Sequence, residues 1–385
     1  MDGESIDGES IEGESVVKRL PARVAEQRLW EVCQGIAATR VLAMSHGRGQ
    51  AAERIARDRP EAEVCCWYLD IVHAGLAREH CRETPGLKIE CLEDWPEVDA
   101  DLVMLPISKG GEAELSRDLI QSGYQRLVEG GILAVSVDHP KDRWVLEQLH
   151  LYDRKVKVHP FDDAVVYLLT KRGPIKRVRD FSCEFAFRDR HESAVVDAGQ
   201  GRLIRLVTRP GVFSHRELDG GARQLLDAVD VVPQSQILDI GCGSGAVALA
   251  CAARDPSVVV HAVDSNARAV GCTRRGAVLN GLSNVTVELN GSGCYGEPER
   301  FDLALANPPY YNDLQIAVRF VEAASRSLLP GGMVIVVSKQ PQWYRDHLGE
   351  WFDSVEVQES RRYHIASGIK PRRPRSPSFG GVSRY

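Results

Sequence analysis

Gln236-Ile237-Leu238-Asp239-Ile240-Gly241-Cys242-Gly243-Ser244-Gly245-Ala246-Val247-Ala248-Leu249-Ala250 reads as an apolar strand, a glycine turn and the opening of a helix. Glycines let the backbone of such a turn approach a ligand at the helix N-terminus. Further apolar runs follow at Val258 to Asp264, Val285 to Gly291, Phe301 to Ala306 and Gly331 to Val337, with helical stretches between them. Strand and helix in alternation predict a mostly parallel, doubly wound α/β sheet. A ligand would then sit at the carboxyl ends of the strands, where Gly241, Gly243, Gly245, Asp264 and Asn307 all fall. The glycines alone do not choose the ligand, because Gly241-x-Gly243-x-x-Ala246 also satisfies the loose dinucleotide fingerprint.

The strand Phe301-Asp302-Leu303-Ala304-Leu305-Ala306 runs into Asn307-Pro308-Pro309-Tyr310. An amine attached to a base or a carbonyl has its lone pair delocalised and is a poor nucleophile. An Asn side-chain carbonyl and the backbone carbonyl of the next Pro can both accept its N–H bonds, favouring the pyramidal geometry of attack. Pro308 biases Asn307 to an extended conformation, and Pro309 stiffens the loop. Tyr310 offers a flat face for stacking a ring. A strand running into a proline-rich turn is the bland alternative. With Asp239 two residues before the first glycine, the set favours S-adenosylmethionine as cofactor and methyl transfer to a planar nitrogen as reaction. No His or carboxylate is required as base, since the amine can lose its proton to solvent after attack.

Asp264 lies roughly 20 residues after the glycines, which suits a carboxylate on the ribose hydroxyls. A helix N-cap is the competing role, because Ser265-Asn266 follow. Asn290 ends the next strand and is a candidate adenine neighbour. These elements, together with Pro210-Gly211-Val212-Phe213-Ser214-His215-Arg216-Glu217-Leu218-Asp219-Gly220-Gly221, resemble the "methyltransferase small domain" family of ribosomal RNA guanine-N2 methyltransferases. In character the chain is nearest the small-subunit members, with the large-subunit ones next. The resemblance implies that Asn307 to Tyr310 place guanine's amine beside the methyl sulfonium. It also implies a cofactor or substrate contact for Phe213 and Ser214, although a buried Phe213 anchoring the domain entrance reads equally well.

A chain of 385 residues exceeds the size at which one core keeps growing. A second copy is present upstream. Val41 to Gln50 aligns under Ile237 to Ala246 with two glycines kept, but Ala43 replaces Asp239 and Ser45 replaces Gly241. Cys66 to Asp70 matches the strand ending at Asp264, and Asp101 to Ser108 matches the strand ending at Asn307, with Pro106 in place of the amide. The pattern predicts two tandem Rossmann-like domains of the class I S-adenosylmethionine-dependent methyltransferase type, the N-terminal one degenerate. His46 and Arg48 would either grip phosphate on the vacated turn or lie in a solvated loop.

The expected division is an acidic disordered tail over 1–16, a degenerate domain over 17–172, a connector hairpin over 173–208, a catalytic domain over 209–370 and a basic disordered tail over 371–385. A net charge of −6 excludes indiscriminate coating of nucleic acid, so RNA contact must rely on local patches. One run of cations is Lys171, Arg172, Lys176, Arg177, Arg179, Arg202, Arg205 and Arg209. The other is Arg361, Arg362, Lys370, Arg372, Arg373, Arg375 and Arg384. The 10 cysteines form no Cys-x-x-Cys pair, so no metal is expected, and Cys242 reads as a small packing residue. No apolar run is long enough to span a membrane. The expectation is a cytoplasmic monomer acting on ribosomal RNA or a ribosomal subunit. Adenine-N6 or protein-glutamine methylation, and a non-catalytic RNA-binding or ribosome-assembly protein, are the alternatives.

Overall fold

The computed structural model describes residues 20–191, 201–309 and 314–372. The acidic repeat, Tyr310, and Arg373, Arg375 and Arg384 lie outside the described residues.

Two seven-stranded sheets share one topology. The first holds β1 (Arg40–Met44), β2 (Glu63–Tyr68), β3 (Leu87–Cys91), β4 (Ala100–Ile107), β5 (Leu127–Val137), β6 (Val156–Pro160) and β7 (Val165–Thr170), in the order β3-β2-β1-β4-β5-β7-β6. A two-stranded hairpin, β8 (Cys183–Asp189) and β9 (Arg202–Thr208), follows where alternation around Phe185 and Phe187 predicts one. The second sheet holds β10 (Gln236–Ile240), β11 (Val259–Asp264), β12 (Val285–Leu289), β13 (Phe301–Ala306), β14 (Leu328–Ser338), β15 (Asp353–Ser360) and β16 (Tyr363–Ile369), in the order β12-β11-β10-β13-β14-β16-β15. The inner pairs are parallel, and an antiparallel pair closes the same edge of each sheet. The chain is therefore α/β, with two tandem Rossmann-like units.

The helices are α1 (Val24–Cys33), α2 (Gln50–Asp58), α3 (Ile71–His80), α4 (Ala113–Arg126), α5 (Trp144–Leu149), α6 (Gly220–Ala228), α7 (Ala246–Arg254), α8 (Ala267–Leu279), α9 (Leu314–Ser327) and α10 (Pro341–His347). They cover both sheet faces, so the strands are apolar on both sides. Val41 and Ala43 enter one core cluster while Leu42 and Met44 enter another, and Ile237 and Leu238 divide in the same way. Cys65 and Cys66 likewise face opposite sides. The hairpin contributes Phe187, Ile204 and Leu206 to the second unit's core. Its Asp189 receives the buried Arg254 guanidinium bidentately at 2.7 and 3.0 Å, which ties β8 to α7.

The two units dock through equivalent segments. Ile71 N donates to Ser265 O and Ala267 N to Leu69 O, both at 2.8 Å, so the β2–α3 and β11–α8 turns pair with each other. Ser265 Oγ adds a 2.6 Å bond to Asp70. Beside them Arg268, fully buried, bonds the carbonyls of Glu93 and Pro210 and pairs with Asp118 at 2.7 Å and Asp94 at 3.2 Å. Burial alone would raise the Asp94 carboxyl, but Arg209 and Arg268 together hold it below the usual range.

The eroded turn of the first copy is packed under α1, with His46 and Arg48 half-buried rather than in a solvated loop. A Cβ on Gly47 would stand 2.8 Å from Pro21 O and from Arg23 Cγ. Ser45 Oγ donates to the buried Glu26 carboxylate at 2.5 Å and accepts from Gly47 N and Gly49 N. Glu26 Oε2 accepts from Ala51 N, so a carboxylate from α1 stands at the helix start that Ala43 leaves without one. Burial pushes the His46 imidazole towards its neutral form.

Candidate active site

A cavity of about 690 Å³ opens at the carboxyl ends of β10, β11, β12 and β13. Gly241, Gly243, Asp264, Asn290, Asn307, Pro309 and Phe213 all line it. A smaller adjoining cavity is bordered by Ser214, Asp219, Asp239, Gly241, Gly243 and Asn307. Gly245 is the N-cap of α7.

Gly241, Gly243 and Gly245 have φ of 74°, 56° and 83°, a left-handed run that side chains resist. Crowding reinforces the need at Gly245, where a Cβ would meet Thr273 at 2.8 Å. Thr273 Oγ1 in turn donates to Gly243 O at 3.0 Å, so α8 braces the turn. Cys242 is buried beneath it, and burial raises its thiol, as befits a packing residue.

Asp239 is 3% exposed and accepts from Ala248 N at 3.0 Å. It thereby caps α7, whose N-cap Gly245 has no side chain to do so. Burial first, and the neighbouring Asp264 charge second, push its carboxyl up to about 7 against the pull of the Ala248 amide. Asp264 accepts from Gly243 N and Asn266 N, both at 2.8 Å, and burial raises its carboxyl as well. The N-cap of α8 is Asn266, which accepts from Arg268 N and Ala269 N, so the N-cap alternative for Asp264 fails. Two of the lone-pair directions of the Asp264 carboxylate remain for other donors. Asn290 lines the cavity, yet its side chain builds the turn after β12. Its Nδ2 bonds Glu288 and Cys294 O, and its Oδ1 accepts from Ser292.

Phe213 is 53% exposed on the cavity rim, which removes the buried-anchor alternative. Ser214 adopts φ 56° and donates to Glu217 O at 3.1 Å.

Asn307 follows β13, and its Nδ2 donates to Asp219 Oδ2 at 2.8 Å. A carboxylate only accepts, so this bond decides which end of the amide is nitrogen. Asp219 is itself fixed as the N-cap of α6, accepting from Ala222 N at 2.9 Å. The sequence alone gives Asp219 no task at the site, although an acid before Gly220-Gly221 is a helix-start signal.

The first unit also reaches the cavity: Asp70, Val72 and His73, from the start of α3, form part of its wall. A Cβ on Gly291 would lie 2.2 Å from Val72 Cγ2, so the loop after β12 packs directly against this wall. From the other side α9 supplies Phe320, 3.0 Å from where a Cβ on Gly241 would be. Nothing in the local sequence around Val72 or Phe320 marks them, because only the docking of separate elements brings them here.

The cations numerous in the connector are mostly committed elsewhere. Lys171 bonds Leu127 O, Arg172 pairs with Asp153, Arg205 with Glu184, and Arg209 with Asp94 across the unit interface. Lys176, Arg177 and Arg179 border a separate cavity of about 340 Å³ on the first unit. Lys370 bonds Leu328 O and pairs with Glu299.

Residues 203–367 match the family model described as Methyltransferase small domain. A ribosomal RNA small subunit methyltransferase C of Pseudomonas aeruginosa (strain LESB58) is 32% identical over 315 residues, covering 78% of this chain and 88% of the relative. That of Shewanella piezotolerans is 33% identical over 227 residues, covering 57% of this chain and 62% of the relative. The chain thus spans less than two thirds of that second protein. Among solved structures, a 16S rRNA N2 methyltransferase of T. thermophilus in complex with AdoMet and guanosine superposes with a TM-score of 0.73 at 23% identity, covering 90% of this chain and 91% of that one. At that identity the likeness speaks for the fold, which extends over both units. On the strength of the near full-length P. aeruginosa alignment, the chain belongs to the ribosomal RNA small subunit methyltransferase C family.

Proposed function

We propose that this protein transfers a methyl group from S-adenosylmethionine to the exocyclic N2 amine of a guanine in small-subunit ribosomal RNA. The observation that carries the reading is the Asp219–Asn307 bond at the end of β13, within a cavity that also holds the glycine turn and Asp264. The cavity is large enough for a nucleoside cofactor, and its lining fits one: a left-handed glycine turn at a helix start and a half-buried carboxylate one strand over.

When bound, the cofactor supplies an electrophilic methyl group on a sulfonium. Asp264 is assigned to the ribose hydroxyls, Gly241, Gly243 and Gly245 to the backbone approach, and Asp239 to holding the turn and its helix. Phe213 and Ser214 are assigned to the rim over the methyl group, and Asn290 to the adenine end through its backbone. With its nitrogen held by Asp219, Asn307 presents carbonyl character to the incoming amine, and the Pro308 carbonyl is the second acceptor. Pro309 keeps the loop stiff, and Tyr310 is assigned to stacking the target base. The amine attacks the methyl carbon, the carbon–sulfur bond breaks with its electron pair going to sulfur, and the amine's proton leaves to solvent.

In this reading residues 209–370 are the catalytic domain and 17–172 a copy that has lost the chemistry, with 173–208 between them. The protein works as a cytoplasmic monomer, its internal duplication providing the two-domain interface that a dimer would otherwise supply. Methyl transfer from radiolabelled S-adenosylmethionine into separated small and large subunits of a strain lacking the activity, followed by nucleoside analysis, tests the reading. N2-methylguanosine in the small subunit is expected; label in another nucleoside, or only in protein, contradicts it.

A further inference from the structure

Arg188, Arg190, Arg223 and Arg361 converge on a groove of about 390 Å³ whose only acidic lining residue, among the described residues, is Asp227. Three elements that are distant in sequence bring them together: the end of β8, helix α6, and the turn between β15 and β16. Four guanidinium groups in one groove repel each other, and a fold that tolerates this ordinarily neutralises them internally. Here, among the described residues, none of the four makes an ion pair, not even Arg223 with Asp227 one turn further along α6. Arg223 is instead held in place by stacking 5.1 Å over the Phe187 ring and by donating to Arg188 O at 2.7 Å. Arg361 sits at φ 55°, a left-handed conformation that a side chain adopts at a cost. All this occurs in a chain of net charge −6.

The groove adjoins the catalytic side. Ser338 at the end of β14 pairs with His364, so the turn holding Arg361 lies at the carboxyl end of the sheet. Next to it, the Tyr363 hydroxyl lies 2.8 Å from where a Cβ on Gly220 would be, immediately after Asp219. Arg223 is four residues beyond Asp219 along α6, a rise of about 6 Å.

We propose that this groove binds backbone phosphate of the RNA strand that flanks the guanosine being methylated. The inference rests on the functional reading above and adds where the strand is gripped. Arginine forks match phosphate oxygens bidentately, and a base presented to a pocket away from its neighbours needs its flanking backbone held. Phosphate binding of this kind gives affinity and register without base selection, which leaves selection to the cavity.

The test uses the full-length protein with small ribosomal subunits from a strain lacking the modification. Arg188→Gln, Arg190→Gln and Arg361→Gln are exposed positions outside the cavity, to be changed singly and together. Filter binding across a potassium chloride series gives the subunit Kd and its salt slope, methyl transfer gives KM and kcat, and calorimetry gives cofactor Kd. The triple variant is expected to bind subunits about tenfold or more weakly, with the salt slope reduced by about 0.7 for each phosphate no longer neutralised. Saturated kcat and cofactor Kd stay at the wild-type values, and the triple Lys variant recovers part of the affinity. Unchanged subunit affinity and slope, with wild-type protein methylating normally, overturn the groove proposal alone. Failure of the wild-type protein to methylate RNA overturns the functional reading and this proposal with it.

Discussion

Asn307 depends on a neighbour that cannot accept the wrong end of its amide. With Asp219 Oδ2 at 2.8 Å, a flipped Asn307 would set its carbonyl against a carboxylate. Replacing Asp219 by Asn keeps a good N-cap for α6 but removes that discrimination. Asp219→Asn is expected to lower kcat at least tenfold, with melting temperature and cofactor Kd little changed; normal kcat in a steady-state assay would remove its positioning role. Asp239 gives a pH signature. Its carboxyl is pushed up to about 7 in the protein without cofactor, so it is mostly protonated at pH 6 and mostly ionised at pH 8. A cation arriving nearby favours the ionised form. Cofactor Kd is therefore expected to tighten as pH rises from 6 to 8, and calorimetry should show this dependence disappear in Asp239→Asn.

At the scale of elements, each functional group is set by a strand end and braced by a helix from elsewhere. The glycine turn, the strand ending in Asp264 and the strand ending before Asn307 were legible from apolar runs and their punctuation. The braces were not: Thr273, Phe320 and Val72 are ordinary helical residues whose task arises only when α8, α9 and α3 pack. For the same reason the run of Lys and Arg in the connector was legible but its division was not: Lys171, Arg205 and Arg209 are bonded within the chain, while Lys176, Arg177 and Arg179 share one cavity. The wall supplied by α3 makes a sharp prediction. Gly291→Ala should force Val72 aside and weaken cofactor binding, while Gly291→Ala combined with Val72→Ala should recover most of it. Equal cofactor Kd values for the single and double variants would show that the Gly291–Val72 packing does not shape the pocket.

Over the whole molecule, the duplicated unit has become a support. Its own turn is packed beneath Glu26, and its β2–α3 corner serves as wall to the neighbouring cavity. Arg268 holds the two together from a fully buried position between Asp94 and Asp118. Arg268→Met removes the close partner of Asp118 and leaves Asp94 to Arg209 alone, and a cost of about 3–5 kcal/mol is expected in denaturant unfolding; a loss below about 1 kcal/mol would mean the interface does not need the pair. The two-unit architecture was legible because the same strand-turn-helix series occurs twice. That the units share a wall was not, since it depends on residues far apart in the chain, as in the Asp70–Ser265 bond, whose partners are 195 positions apart.

Guanine N2 methylation organised by Asn307 would show itself in a comparison of wild-type protein with Asn307→Ala on unmodified small subunits. Single-turnover methyl transfer and cofactor Kd would be measured side by side. The wild type is expected to yield N2-methylguanosine, and the variant a rate lower by about two orders of magnitude or more at nearly unchanged cofactor Kd. Near-normal transfer by the variant would contradict that role of Asn307.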